Sequence, residues 1–375
     1  MTRITADWLT DPGAQQVCRI LTDAGYQAWF VGGCVRNTLL GALVADLDLS
    51  TDAHPDVVTQ LATDAGLKVI LTGIEHGTVT ILAQNTPFEV TTFRRDVATD
   101  GRRATVAFSD NMTDDARRRD FTMNALYVSA DGTVVDPLGG LPDLIARRVR
   151  FIEDAEQRIK EDYLRILRFF RFHAWYGANG PDPDGLAACA ANVEGLASLS
   201  AERITSELLK LLTAPDPAPA VASFAATGGL AQVVPGATVQ SLAVLIHLEQ
   251  QAGIAPDPIR RLAILGGEVN ALRLSRQQSR HLDHIKSEFP LLEVAYRIGA
   301  QTAMDKALIE AASVGQQIDP NLAQKLQKAA DQIFPLKAAD LMPDLQGPAL
   351  GAAMKAAEQR WIASGFTLTK DDLIG

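Results

Sequence analysis

Over residues 1–140 the apolar positions alternate between helical spacing and short strand-like runs. Residues 1–26 read as helical, with Val17, Ile20 and Leu21 on one face and Gly25 closing the segment. Trp29-Phe30-Val31 predicts a short strand running into Gly32-Gly33. Val35–Leu40 predicts a helix stopped by Gly41, and Leu43–Ser50 a second strand. His54-Pro55 opens another helix, with proline suited to its first turn, and Gly66 ends it. Lys68–Leu71, Val79–Leu82 and Phe88–Thr92 read as strands. Residues 94–110 lack periodicity, are rich in Arg, Asp and Gly, and read as a mobile loop. Thr113 is a cap for a helix with Asp114 and Asp115 in its first turn, extending through Arg117-Arg118-Arg119-Asp120. A hairpin pairs Tyr127–Val128 with Thr133–Val135 around Asp131-Gly132.

Beyond about residue 150 the strand pattern nearly vanishes. Helical periodicity dominates, interrupted at Gly180-Pro181, Pro215–Pro219, Pro235-Gly236, Pro256–Pro258 and Pro290. The fold class expected is α+β: a mixed sheet with helices, then an all-α remainder. At 375 residues, 47% hydrophobic and 21% charged, the chain suits two or three globular units. No apolar run is long enough to span a membrane, and the N-terminus lacks a signal-peptide pattern. Cys18, Cys34 and Cys189 are unclustered, which fits reduced thiols and a cytoplasmic location, and no structural zinc site is evident.

Net charge is −10, which argues against indiscriminate nucleic-acid coating. Local charge differs. Arg94 to Arg119 holds seven arginines against five acids, and Arg147 to Arg171 holds eight basic residues against five acids. Such segments suit a confined polyphosphate or RNA site, or ordinary pairing on solvated helix faces.

Candidate chemistry concentrates in Asp46-Leu47-Asp48. On a strand the two carboxylates share one face, and they repel unless a cation lies between them. Hard oxygen ligands favour Mg²⁺, whose shell phosphates commonly complete. Gly32-Gly33 before a helix offers backbone N–H groups to an anion, and Arg36 adds a guanidinium one turn on. Together they point to metal-assisted transfer from a nucleoside triphosphate.

The run from Phe30 to Ser50 resembles the class II tRNA nucleotidyltransferase and bacterial poly(A) polymerase family, within the polymerase-β-like superfamily. Its hallmark is a Gly-Gly-x-Val-Arg-Asp block followed by Asp-x-Asp. One position departs: Asn37 stands where the family usually has Asp, keeping shape and losing charge, and is not counted as a metal ligand. Arg118-Arg119-Asp120-Phe121-Thr122-Met123-Asn124-Ala125 is similar to a second family block, which implies that Arg119 meets phosphate and Asp120 the ribose. Asp136–Asp143 resembles the block between head and neck, a conformational element. Glu161-Asp162-Tyr163-Leu164-Arg165 resembles the EDxxR motif, which implies that Asp162 and Arg165 read the base edge; Arg168 and Arg171 continue the stripe and help hold phosphates. Ser200–Leu208 resembles a helix-bracing block, so Glu202 and Arg203 read as structural. The likeness is strong over residues 28–212 and traceable to about 366. Glu89, on a following strand, is either a third carboxylate at the metal or a brace. His281 and His284 are spaced HxxH, but no His-Asp dipeptide supports a phosphohydrolase site.

The resemblance implies a nucleotidyltransferase head over 1–145, a helical neck over 146–215 that recognises the base, and a body and tail over 216–375 that dock tRNA. The implied reaction adds CMP and AMP from CTP and ATP to the tRNA 3′ end. Asp46 and Asp48 hold two Mg²⁺ ions (Mn²⁺ is the alternative), and Gly32, Gly33 and Arg36 grip the triphosphate. The loop 94–110 moves between C-adding and A-adding states. Poly(A) addition, CC-only or A-only addition, and a non-catalytic RNA-binding relative are the other readings.

Overall fold

The computed structural model describes residues 2–71, 73–100, 103–342 and 344–374, with side chains described for all of these except 96–100 and 103–106. The chain divides into two compact units, Met1–Glu207 with Pro219–Val233, and Leu208–Ala218 with Val234–Gly375.

The first unit is built on a seven-stranded sheet. Its strands are β1 (Trp29–Val31), β2 (Asp48–Thr51), β3 (Lys68–Ile70), β4 (Thr78–Ala83) and β5 (Thr86–Thr92), joined after the pair β6 (Arg94–Asp100) and β7 (Arg103–Phe108) by β8 (Tyr127–Val128) and β9 (Val134–Val135). The order is β3-β4-β5-β2-β1-β8-β9, with β6-β7 a separate two-stranded sheet. Only β2 and β5 run parallel among these pairings. β4 buries Val79, Ile81 and Ala83 and β5 buries Phe88 and Val90, the period-two pattern of a sheet with one covered face. The helices Pro12–Thr22 and Pro55–Asp64 pack on β4 and β5. The β4–β5 turn places Gln84 and Asn85 at φ 51° and 64°, the left-handed geometry that matches hairpin twist.

Two strand expectations change. β2 begins at Asp48, not at Leu43: Leu43 is 94% exposed, and residues 42–47 form an irregular connection after the helix Gly33–Leu40. Asp46 and Asp48 therefore do not share a strand face. Residues 94–110, read as a loop, instead form β6 and β7, paired antiparallel with a register shift between Asp96 and Ala98; Gly101 and Arg102 lie outside the described residues. The next helix is Met112–Arg117, capped by the Asn111 side chain and not by Thr113, and it ends before Arg118.

Six phenylalanines tie the unit together. Phe121 meets Phe151 at 4.9 Å and Phe172 at 5.0 Å, Phe151 stacks on Phe169 at 5.4 Å, and Phe170 meets Phe169 at 5.3 Å and Phe224 at 5.0 Å. The helix Leu164–Tyr176, which also buries Ile166 and Leu167, is thereby fixed against the segment carrying Arg119 and Asp120. Gly140 packs so closely that a Cβ there would lie 2.2 Å from the Thr122 carbonyl, so close approach is what requires this glycine.

The second unit is all-helical among its described residues. It buries a charged network. Arg260 pairs with Glu249 at 2.8 Å and Asp305 at 2.6 Å, and Arg261 donates to Glu249 at 2.7 Å and to the Leu212 carbonyl at 2.7 Å. His281 pairs with Asp305 at 3.0 Å, which accounts for that histidine without a metal. No described helix is long and apolar enough to cross a membrane.

Candidate active site

The strand–glycine–helix sequence folds into a glycine cradle at a helix N-terminus. Gly32 caps the helix Gly33–Leu40 at φ 76°, a conformation open to glycine, and a Cβ there would sit 3.5 Å from the Arg119 guanidinium. The cradle borders a cavity of about 400 Å³. Six guanidiniums line it, from Arg36, Arg118, Arg119, Arg165, Arg168 and Arg203, against three carboxylates, from Asp48, Asp120 and Asp162. That excess suits a polyphosphate. A larger cavity of about 670 Å³ in the second unit has no cationic residue in its lining.

Arg36 is buried and all its partners are neutral. Nη1 donates to Asn124 Oδ1 at 2.6 Å and Nη2 to the Tyr176 hydroxyl at 2.9 Å; Nε and Nη2 donate to Asn37 Oδ1. The Phe172 and Tyr176 rings lie 5.0 and 4.1 Å from it. Burial lowers its pKa, the direction expected of a cation without a paired acid.

Arg119 is held from below. Asp115, fully buried, accepts from Arg119 at 3.0 Å, from Arg118 at 2.7 Å and from the Tyr127 hydroxyl at 2.7 Å. Burial alone would raise its pKa, but the two guanidiniums and the Tyr127 hydrogen bond hold it at about 2. Arg119 Nε is buried without a hydrogen-bond partner among the described residues, a donor in want of an acceptor.

Asp120 is likewise engaged. Arg168 Nε donates to Oδ2 at 2.7 Å, and Asn124 Nδ2 and the Phe121 N–H donate to Oδ1, each at 2.9 Å. Against the burial that would raise it, Arg168 first and then Asn124 bring its pKa to about 2. Asn124 thus links Arg36 to Asp120. Arg168 lies 3.8 Å from Glu207, which pairs with Arg171 at 2.6 Å; Arg171 stands outside the cavity lining.

Asp162 and Arg165 both line the cavity but do not pair with each other. Asp162 takes Arg203 at 2.7 Å, while Arg165 Nη1 donates to Glu161 at 2.6 Å and to the Arg158 carbonyl at 2.8 Å. Arg203, expected to be structural, therefore faces the cavity as well.

Asp48 opens β2, half-buried and in register with Glu89 on the parallel β5. Its pKa is raised, first by burial, then by the Glu89 carboxylate; Arg119 opposes and Asp46 adds to the rise. Asp46 is exposed and outside the cavity lining. Sequence reasoning missed Asn124, Asp115 and Arg203 as site members. Asn124 stood four residues from Asp120 in the quoted block, the one available hint.

The paired acids set an acid limit. Asp115 and Asp120 each sit near 2 instead of 3.8, so each contributes of order 2 kcal/mol above pH 4. A depressed carboxylate loses that contribution as pH falls through its folded value. Urea unfolding should show stability falling between pH 4 and 2; a flat profile there would contradict the buried pairings.

Known proteins resemble the chain in sequence and in fold. The poly A polymerase head domain matches residues 28–150, and the probable RNA and SrmB-binding site of polymerase A matches 181–240. Human mitochondrial CCA tRNA nucleotidyltransferase 1 is 31% identical over 388 residues, covering 96% of this chain and 89% of that protein. The chain belongs to the class II CCA-adding tRNA nucleotidyltransferase and bacterial poly(A) polymerase family. It is a nucleotidyltransferase. The CCA-adding enzyme of Limosilactobacillus fermentum is 34% identical over 378 residues, covering 91% of this chain and 90% of that protein. The Bacillus stearothermophilus CCA-adding enzyme, solved in complex with CTP, superposes with a TM-score of 0.76 at 28% identity, covering 94% of this chain and 92% of that one. The Thermotoga maritima CCA-adding enzyme complexed with tRNA shares the fold, with a TM-score of 0.71 at 16% identity and coverage of 99% and 95%.

Family membership implies use of a divalent metal ion, and the donor set fits one. Asp48, Glu89 and Asp46 concentrate negative charge that Arg119 only partly offsets. Among the described residues no three His, Cys, Asp or Glu side chains converge on one point. Two aspartates with few further protein ligands suit a cation whose shell substrate phosphates complete.

Proposed function

We propose that the protein adds CMP and AMP, from CTP and ATP, to the 3′ end of tRNA, releasing pyrophosphate. The division into a catalytic head (1–145), a base-reading neck (146–215) and a tRNA-docking body and tail (216–375) belongs to the same reading. The observation that carries it is the arginine-lined cavity beside Asp48, which Arg119 lines together with Gly32 and Gly33.

Asp46 and Asp48 would hold Mg²⁺, two ions in this reading, with Glu89 bracing Asp48 from β5. Bound there, the metal supplies Lewis-acid stabilisation of the charge that develops on oxygen. Gly32 and Gly33 offer backbone N–H groups to the triphosphate and Arg36 offers a guanidinium whose direct hydrogen-bond partners are all neutral. Arg119 takes phosphate and Asp120 the ribose, with Arg168 fixing the Asp120 carboxylate. Asp162 and Arg165 present acceptor and donors to the base edge. Glu161 and Arg203 hold those two side chains in place, so one amino-acid template is preset before the base arrives. Arg171, through Glu207, steadies Arg168.

The test is incubation with tRNA lacking its terminal CCA and with each triphosphate singly and together, followed by sequencing of the 3′ ends. The reading predicts two cytidines with CTP, one adenosine after them with ATP, and refusal of UTP and GTP. Adenosine tails on unrelated RNA ends, or no addition, would overturn it. Arg165→Ala in the same assay should reduce the preference for CTP over UTP by roughly 10–100-fold, the worth of one well-placed polar contact pair. Unchanged selectivity would remove Arg165 from base reading.

A further inference from the structure

A guanidinium has five N–H donors, and four of those on Arg36 are engaged. Nε and one hydrogen of Nη2 go to Asn37 Oδ1, the other hydrogen of Nη2 to the Tyr176 hydroxyl at 2.9 Å, and one hydrogen of Nη1 to Asn124 Oδ1 at 2.6 Å. The fifth, on Nη1, has no partner among the described residues. A Cβ added at Gly33 would lie 3.9 Å from Nη2, so the group is held beside the glycine cradle.

Tyr176 is the partner that comes from farthest along the chain, 140 positions away. It is the last residue of the helix Leu164–Tyr176. Arg165, Arg168, Phe172 and Tyr176 follow one another at spacings of three, four and four, which is one stripe of that helix. The first three line the cavity and Tyr176 does not, so it reaches the site only through Arg36. It holds Arg36 in two ways. Its hydroxyl accepts from Nη2, and its ring lies 4.1 Å from the guanidinium carbon. The ring is set in turn by Phe172, at 5.5 Å. One helix therefore presents Arg165 near its start and supports Arg36 from its end.

We propose that Tyr176 is a positioning residue for triphosphate binding: it orients Arg36 beside Gly33 and so ties the phosphate grip to the helix that carries Arg165. This rests on the reading that Arg36 meets the triphosphate.

The experiment measures Kd in EDTA for CTP and for cytidine, which has no phosphate. The variants are Tyr176→Phe, Tyr176→Leu, Arg36→Met and the double variant Arg36→Met with Tyr176→Phe. Tyr176→Phe removes one acceptor and keeps the ring, and should raise the Kd for CTP about 3–10-fold. Tyr176→Leu removes the ring as well and should raise it about 10–30-fold. Both should leave the Kd for cytidine within about 2-fold, because the base-reading side chains are untouched. In the Arg36→Met background Tyr176→Phe should add less than about 2-fold, since its effect passes through Arg36. Native CTP affinity in both Tyr176 variants, equal losses for CTP and cytidine, or additive losses in the double variant would each overturn the proposal. Equal losses would make Tyr176 a support of the helix alone. Melting temperatures establish that the variants are folded, and Tyr176→Phe, which loses a single oxygen from a half-buried side chain, is the conservative one. Arg36→Met with native CTP affinity would remove Arg36 from the triphosphate, and the proposal would then fall with that reading and not through Tyr176.

Discussion

Asp48→Asn is expected to lower nucleotide incorporation by on the order of 10³-fold or more, about 4 kcal/mol of transition-state stabilisation, while tRNA binding is retained. The same substitution should stabilise the metal-free protein. Asp48 is half-buried at the head of β2 beside Glu89, and its folded-state pKa is raised, first by burial and then by that carboxylate. A raised carboxyl favours folding only while protonated. Its contribution is complete below the unfolded value and is lost as pH rises through the folded value. At pH 7 in EDTA the ionised side chain therefore costs stability that an amide does not, and the melting temperature of Asp48→Asn should rise. Lost activity with a lower melting temperature would make Asp48 a structural residue instead. Asp46→Ala should match the loss of activity with little change in stability, because Asp46 is exposed.

The second large effect is expected at Asp115→Asn. This carboxylate is fully buried and takes Arg118, Arg119 and Tyr127 at once. An asparagine keeps the shape, removes the charge that two guanidiniums share, and turns one acceptor into a donor facing another donor. Breaking a buried ion pair in this way costs about 3–5 kcal/mol. Urea unfolding of the folded variant should show that loss. Because Asp115 also holds Arg119 beneath the Gly32 cradle, KM for CTP should rise roughly 10–100-fold, the effect of losing one charge-assisted phosphate contact. A native KM in a destabilised variant would mean that Arg119 reaches its place without Asp115.

Much of this was legible in the chain. β1 appears at Trp29–Val31 as the apolar run predicts, and Ile166, Leu167 and Phe170 are buried as their helical spacing requires. The motif blocks led to the family and to most of the cavity lining. Two things were not legible. Leu43, Val44 and Leu47 imitate a strand, yet the chain there is irregular because the Asn37 amide and the Gly41 cap, not a neighbouring strand, hold its backbone. The β6–β7 pair carries Arg and Asp within its strands and forms a sheet of its own, so its sequence shows no period-two apolar pattern by which to read it. The site's inner wiring is long-range. Asn124 between Arg36 and Asp120, and Arg203 on Asp162, connect residues 88 and 41 positions apart, and nothing local marks such pairs.

The central claim is that Asp46 and Asp48 hold the catalytic cation beside a triphosphate cradle at Gly33 and Arg36. The direct measurement is anomalous diffraction from a crystal soaked with CTP and Mn²⁺. The account predicts manganese density bounded by the Asp46 and Asp48 carboxylates, with the triphosphate against the Gly33 N–H and the Arg36 side. Manganese bound elsewhere, with both carboxylates turned to solvent, would contradict it.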